Sequence, residues 1–240
     1  MRLSSIIISS LVAAAVSNAA HASLLVSGVV GGAPIGVVTE NFDTLIPGNI
    51  TTTALPSGIT ISYQPDAKPV SGSNSLYAAP FLSGGNGLGF GPGGSSQADG
   101  ADLTTYITTG STGAFSAASV TLQLPSLERY FGILWGSVDN YNTLSFYNGA
   151  TLVGAVTGSA VTSSPDGDQG VDGTLYVNIN ATAGSAFDRV VATSSQYAFE
   201  FDNVAFSKKP VPEPVSLGLL GTGVLGLLLV KRRRAATFSG

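Results

Sequence analysis

The chain of 240 residues contains no cysteine, so it has neither disulfides nor thiolate metal sites. It has one histidine, His21, and that residue falls inside a segment with the features of an export signal. Once that segment is removed no imidazole remains, which excludes Ser-His-Asp and Cys-His catalysis and the usual zinc sites. Positive charge is equally scarce. Between Ser23 and Ser207 the basic residues are Lys68, Arg129 and Arg189, against thirteen acidic ones, a net charge of −10. Such a body repels nucleic acid and anionic lipid, and it can attract divalent cations. Nucleic acid is thereby excluded as a partner. Carboxylates, a lysine or a carboxylate-bound metal are the remaining routes to catalysis.

Both ends read as targeting segments. Met1-Arg2 supplies a positive start, Ile6 to Val16 an apolar stretch, and Ala20-His21-Ala22 a small-residue cleavage site. This tripartite pattern predicts a signal peptide over residues 1–22, helical while it persists, rather than a core helix. At the other end the sixteen residues from Val215 to Val230 carry no charge. As a helix they rise about 24 Å at ~1.5 Å per residue, short of a bilayer core of about 30 Å. Lys231 to Arg234 can snorkel to the headgroups, and by the positive-inside rule they stay cytoplasmic. The expectation is a linker over 208–214, a transmembrane helix over 215–230 and a basic tail over 231–240, against the alternative of a buried core helix.

Pro212-Glu213-Pro214, followed by a glycine-bearing apolar run and an Arg-rich end, resembles the PEP-CTERM sorting signal of exported Gram-negative proteins. The resemblance implies that a membrane exosortase recognises this motif, removes the helix and passes the protein to the cell surface or its polysaccharide matrix. A sortase signal would need Leu-Pro-x-Thr-Gly, which is absent. A GPI signal ends in its apolar tail without a basic cluster. The tail also travels under the description ice-binding protein C-terminal domain, which is no evidence of ice binding.

Residues 23–207 read as one β domain. In SVTLQLP, Val120, Leu122 and Leu124 share one face. Asn148-Gly149 lies between two alternating runs and predicts a type I′ hairpin. Thr174–Ile179, Phe187–Ser194 and Gln196–Phe206 are further predicted strands. Tyr130–Ser137 is nearly continuously apolar, as in a strand covered on both sides. No fixed-period repeat is present, which counts against a solenoid. These signals predict an all-β, antiparallel β-sandwich, jelly-roll-like. Residues 83–100 (SGGNGLGFGPGGSSQADG) lack phosphate-loop spacing and read as a flexible surface loop.

Three constellations are candidates for chemistry. Trp135 is either a sugar-stacking platform, with polar contacts from Asp139, Asn140, Tyr141 and Asn142, or a core tryptophan beside a polar turn. Its neighbours Ile133 and Leu134 favour the core. Asp166, Asp168 and Asp172 carry ligand types suited to a structural calcium ion, yet Gly170 and Val177 occupy two EF-hand ligand positions, so a solvated acidic turn is the favoured reading. Glu200 and Asp202 share one strand face and form the alternative of a glycoside-acting acid–base pair, although that mechanism brackets a sugar from opposite sides. The expectation is no enzyme and no cofactor. The blocks Tyr130–Gly149 and Phe187–Phe206 also resemble a recurrent group of exosortase-sorted surface proteins. That resemblance implies a surface protein and names no ligand; the expectation for the body is a carbohydrate-binding or structural module, with polysaccharide as the partner to test. A passive matrix spacer is the further alternative.

Overall fold

A computed structural model describes residues 24–29, 31–110, 118–196 and 198–211. The expected signal peptide, Pro212-Glu213-Pro214, the 215–230 helix and the basic tail lie outside the described residues. Among those described, no helix is long and apolar enough to cross a membrane.

Strands β1 (Leu24–Val29), β2 (Val38–Glu40), β3 (Thr53–Ala54), β4 (Thr60–Tyr63) and β5 (Lys68–Val70) come first. Next are β6 (Phe81–Leu82), β7 (Gly100–Ala101), β8 (Tyr106–Thr109), β9 (Ser119–Glu128) and β10 (Tyr130–Gly136). Then come β11 (Asn142–Asn148), β12 (Thr151–Thr157), the short helix α1 (Gly158–Val161), β13 (Leu175–Ala181), β14 (Phe187–Ser194) and β15 (Phe199–Ser207). One sheet runs β1-β13-β10-β15-β8-β5, with β2 also on β15; the other runs β12-β11-β14-β9-β4-β3.

The last eight strands explain this order. β8 pairs β15, β9 pairs β14, β10 pairs β13 and β11 pairs β12, all antiparallel. A single long two-chain ribbon, folded at β11–β12 and rolled up, yields those four pairs. The seams β10–β15 and β11–β14 then close the two sheets. That is the jelly roll.

Alternation along the strands builds the core. Phe131, Ile133 and Trp135 of β10 and Phe199 and Phe201 of β15 meet Leu122, Leu144, Phe146 and Val190 of the facing sheet. Phe131 and Phe146 join the sheets edge to face at 5.7 Å. Every residue of β10 is buried, because its sheet is covered on the outside as well. There Tyr130, Leu134, Tyr176 and Ala205 pack with Leu82 and Phe90.

The glycine-rich segment 83–100 is therefore a packed cover rather than a free surface loop. Phe90 reaches the Tyr176 ring at 6.1 Å, and the glycines permit close approach. A β-carbon on Gly91 would come within 2.9 Å of the Ser96 carbonyl oxygen. The β11–β12 hairpin also differs in detail from expectation. Asn148 pairs with Thr151, so Gly149 and Ala150 are the central residues. Of the two, only Gly149 has positive φ (55°), whereas a type I′ turn needs both.

Candidate functional site

Trp135 is not a sugar platform. It is fully buried, with its ring 4.5 Å from that of Phe199, in the position the core alternative describes. Its residue number places it on the inward face of β10, where the alternation started by Phe131 carries it into the core. Asp139, Tyr141 and Asn142 lie near one another, but they make a structural turn. Asp139 Oδ1 accepts the Tyr141 N–H at 3.1 Å, and Oδ2 accepts Asn142 Nδ2 at 3.1 Å. The same Asn142 amide donates to the Ala198 carbonyl, tying the turn to the start of β15. Burial pushes the Asp139 carboxyl up to about 6, against the opposing pull of those hydrogen bonds. Of the five residues only Asn140 is exposed.

Asp166, Asp168 and Asp172 are exposed. Asp166 Oδ1 accepts the Asp168 N–H, and Asp168 Oδ1 accepts the Gly170 N–H at 2.6 Å, so two of the three carboxylates cap their own loop. Among the described residues no three of His, Cys, Asp and Glu form a metal-holding group. The geometry is that of an exposed acidic turn capped by its own backbone N–H groups.

Glu200 and Asp202 do share the outer face of their sheet, but both are buried beneath the cover. Glu200 Oε1 accepts the Ala78 N–H at 3.1 Å and Oε2 accepts the Ser137 hydroxyl at 3.0 Å. Burial raises its pKa to about 7. A sugar cannot be bracketed by two carboxyls that project from one strand into protein.

Sequence reasoning missed the polar residues that surround Asp202. On β15 the inward residues are Phe199 and Phe201, then Val204 and Phe206. Their parity changes across Asp202-Asn203, the pairing with β10 shifts there, and Asn203 has φ 50°. This bulge puts Asp202 and Asn203 on the same outward face. Asp102, Thr104 and Gln97 of the cover meet them: Asn203 donates to Gln97, and Gln97 Nε2 donates to Thr104 Oγ1 at 3.4 Å. The parity change in FEFDNVAF was the one signal available in the sequence.

The remaining constellation is the C-terminal one. A family model described as the PEP-CTERM protein-sorting motif matches residues 210–234. The chain carries a PEP-CTERM sorting motif. The match covers the tail alone, and no curated protein or solved structure matches the chain. The PEP-CTERM motif implies an exported precursor processed by an exosortase. The structure shows how the body delivers it. β15 ends at Ser207, and Val211, the residue before Pro212, is still held: its N–H donates to Asn180 Oδ1 at 2.9 Å. Its side chain packs on the outer cluster of Tyr130 and Tyr176. The start of the PEP-CTERM body lies at the same place, because Leu24 of β1 pairs with Ala181.

Proposed function

We propose that this PEP-CTERM protein is an exported, exosortase-processed component of the cell surface or exopolysaccharide matrix, and that its jelly roll is a non-catalytic structural module. The observation that carries the reading is the sorting motif joined to the body at Val211, with no intervening domain between the last strand and Pro212. A structural role is favoured over carbohydrate binding because no aromatic residue among those described is exposed. Flat aromatic faces are what sugar rings stack on. The buried placement of Glu200 and Asp202 supports a non-catalytic module in the same way.

Mass spectrometry of surface and matrix fractions tests the sorting. The expected form begins after Ala22 and ends near Pro212-Glu213-Pro214. Recovery of the Val215–Val230 peptide from the final location would overturn the processing. A glycan array tests the module: no retention is expected, and selective retention would move the reading to a carbohydrate-binding module.

A further inference from the structure

We propose that the jelly roll binds one calcium ion between Asp102 and Asp202, where the glycine-rich cover meets the bulge of β15. The inference is independent of the sorting reading. Asp102, Asp202 and Asn203 are each 0% exposed. Asp102 Oδ1 is satisfied twice by Thr104, from its N–H at 2.8 Å and its hydroxyl at 2.6 Å. Four other oxygens are buried without any hydrogen-bond partner: Asp102 Oδ2, both carboxylate oxygens of Asp202 and Asn203 Oδ1.

The amide and hydroxyl donors of Asn203, Gln97 and Thr104 are already spent, and the Asn203 N–H only partly offsets the burial of Asp202. Asn203 Nδ2 goes to Gln97, Gln97 Nε2 to Thr104, and Thr104 to Asp102. Asp202 and Asp102 stand within hydrogen-bonding range of each other as acceptor against acceptor. The bulge turns Asn203 onto the same face. No cation of the body answers them. Arg129 donates to the Ala181 and Thr182 carbonyls, Arg189 to the Gly149 carbonyl, and Lys68 lies over the Tyr77 ring. Buried acceptors with no donor are costly, and paired carboxylates more so.

A hard divalent cation supplies what is missing. Calcium takes carboxylate, amide and water oxygens in a flexible shell, and two carboxylates balance its charge. Since no third acid completes a metal-holding group, the ion would rest on Asp102, Asp202, the Asn203 amide oxygen and water. A pocket of about 280 Å³, lined by Gln97, Asp102 and Thr104 among others, reaches the Asp102 side of the pair and gives room for that water. Magnesium suits the site less, because it demands tight octahedral geometry. The competing occupant is a proton, since burial and the neighbouring Asp102 push the Asp202 carboxyl well above the usual carboxylate range.

The experiment is calcium titration calorimetry and thermal unfolding of the full-length chain in detergent at pH 7, first stripped with EGTA. One calcium per chain is expected, with a melting temperature several degrees higher at a hundredfold excess over Kd. Asp202→Asn should lose at least tenfold in calcium affinity. It should melt in EGTA no lower than the wild type, because it removes one of two facing carboxylates without changing shape. Asp166→Asn/Asp168→Asn/Asp172→Asn should keep the response, which separates this site from the exposed loop. A wild-type chain that takes up no calcium and melts identically with and without EGTA would overturn the proposal and leave a proton between the two carboxyls. A calcium response that persists in Asp102→Asn/Asp202→Asn would overturn it equally.

Discussion

Glu200 allows a quantitative test of what burial does to a carboxylate here. It is 2% exposed, and its hydrogen bonds from Ala78 and Ser137 only partly offset the cost of removing its charge from water. Its pKa rises from 4.5 in the unfolded chain to about 7 in the folded one, with burial the largest cause. Between those values the folded protein holds a proton that the unfolded chain has released. Stability from this group is therefore fully present below about pH 4.5 and is lost as pH rises towards 7. At 1.36 kcal/mol per unit the loss is about 3 kcal/mol. Glu200→Gln cannot ionise. Its amide oxygen can accept the Ala78 N–H while its amide nitrogen donates to the Ser137 hydroxyl. The variant should match the wild type near pH 4.5 and exceed it by about 3 kcal/mol at pH 8.5. That difference corresponds to roughly 6–12 °C in Tm for a domain of this size. Denaturant unfolding at both pH values, in EGTA throughout, measures it. If the difference between variant and wild type does not change with pH, Glu200 is not the buried acid described here.

Other expectations follow from the packing and the tail. Trp135→Ala should cost about 3–5 kcal/mol in denaturant unfolding, as a large core truncation does. Gly132→Ala should also destabilise, because its β-carbon would lie 2.6 Å from the Tyr176 hydroxyl and closer still to that of Tyr130. Tyr176→Phe in the same chain should recover part of the loss, read from the double-mutant cycle. Glu213→Ala should leave an uncut protein in the inner membrane, detectable as intact tail peptides after fractionation.

The strands from Ser119 onward were legible because each runs seven residues or more, long enough for a pattern to register. β13 starts one residue after the Thr174 expected, and β14 runs over the expected Phe187–Ser194. The first half of the chain was not, since β2, β3, β5, β6 and β7 are two or three residues long. Periodicity needs more residues than that to register. The glycine-rich cover misled for a related reason: its composition fits a loose loop, and only Leu82 and Phe90 hint that it is fastened. Trp135 was decided by the parity of β10, which its apolar neighbours conceal. The acid pair depends on Asp102 meeting Asp202 a hundred residues away, a contact no local pattern encodes.

The meeting of Leu24 and Val211 at Ala181 and Asn180 gives the body a fixed polarity. Leu24 and Val211 are bound at one end of β13, beside Arg129 and close to Lys208 and Lys209. At the other end of that strand Val138 bonds Gly173, and Asp139 bridges Asp166, bringing the exposed aspartate loop to the opposite pole. In the proposed precursor, anchored through residues 215–230, this polarity would set the basic pole toward the bilayer and the acidic pole outward. At most about 14 Å of chain separates Val211 from Val215. The two proposed cuts, after Ala22 and at Pro212-Glu213-Pro214, both fall next in sequence to residues of this pole, Leu24 and Val211. The aspartate loops would then be the first surface that such a precursor offers to the outside.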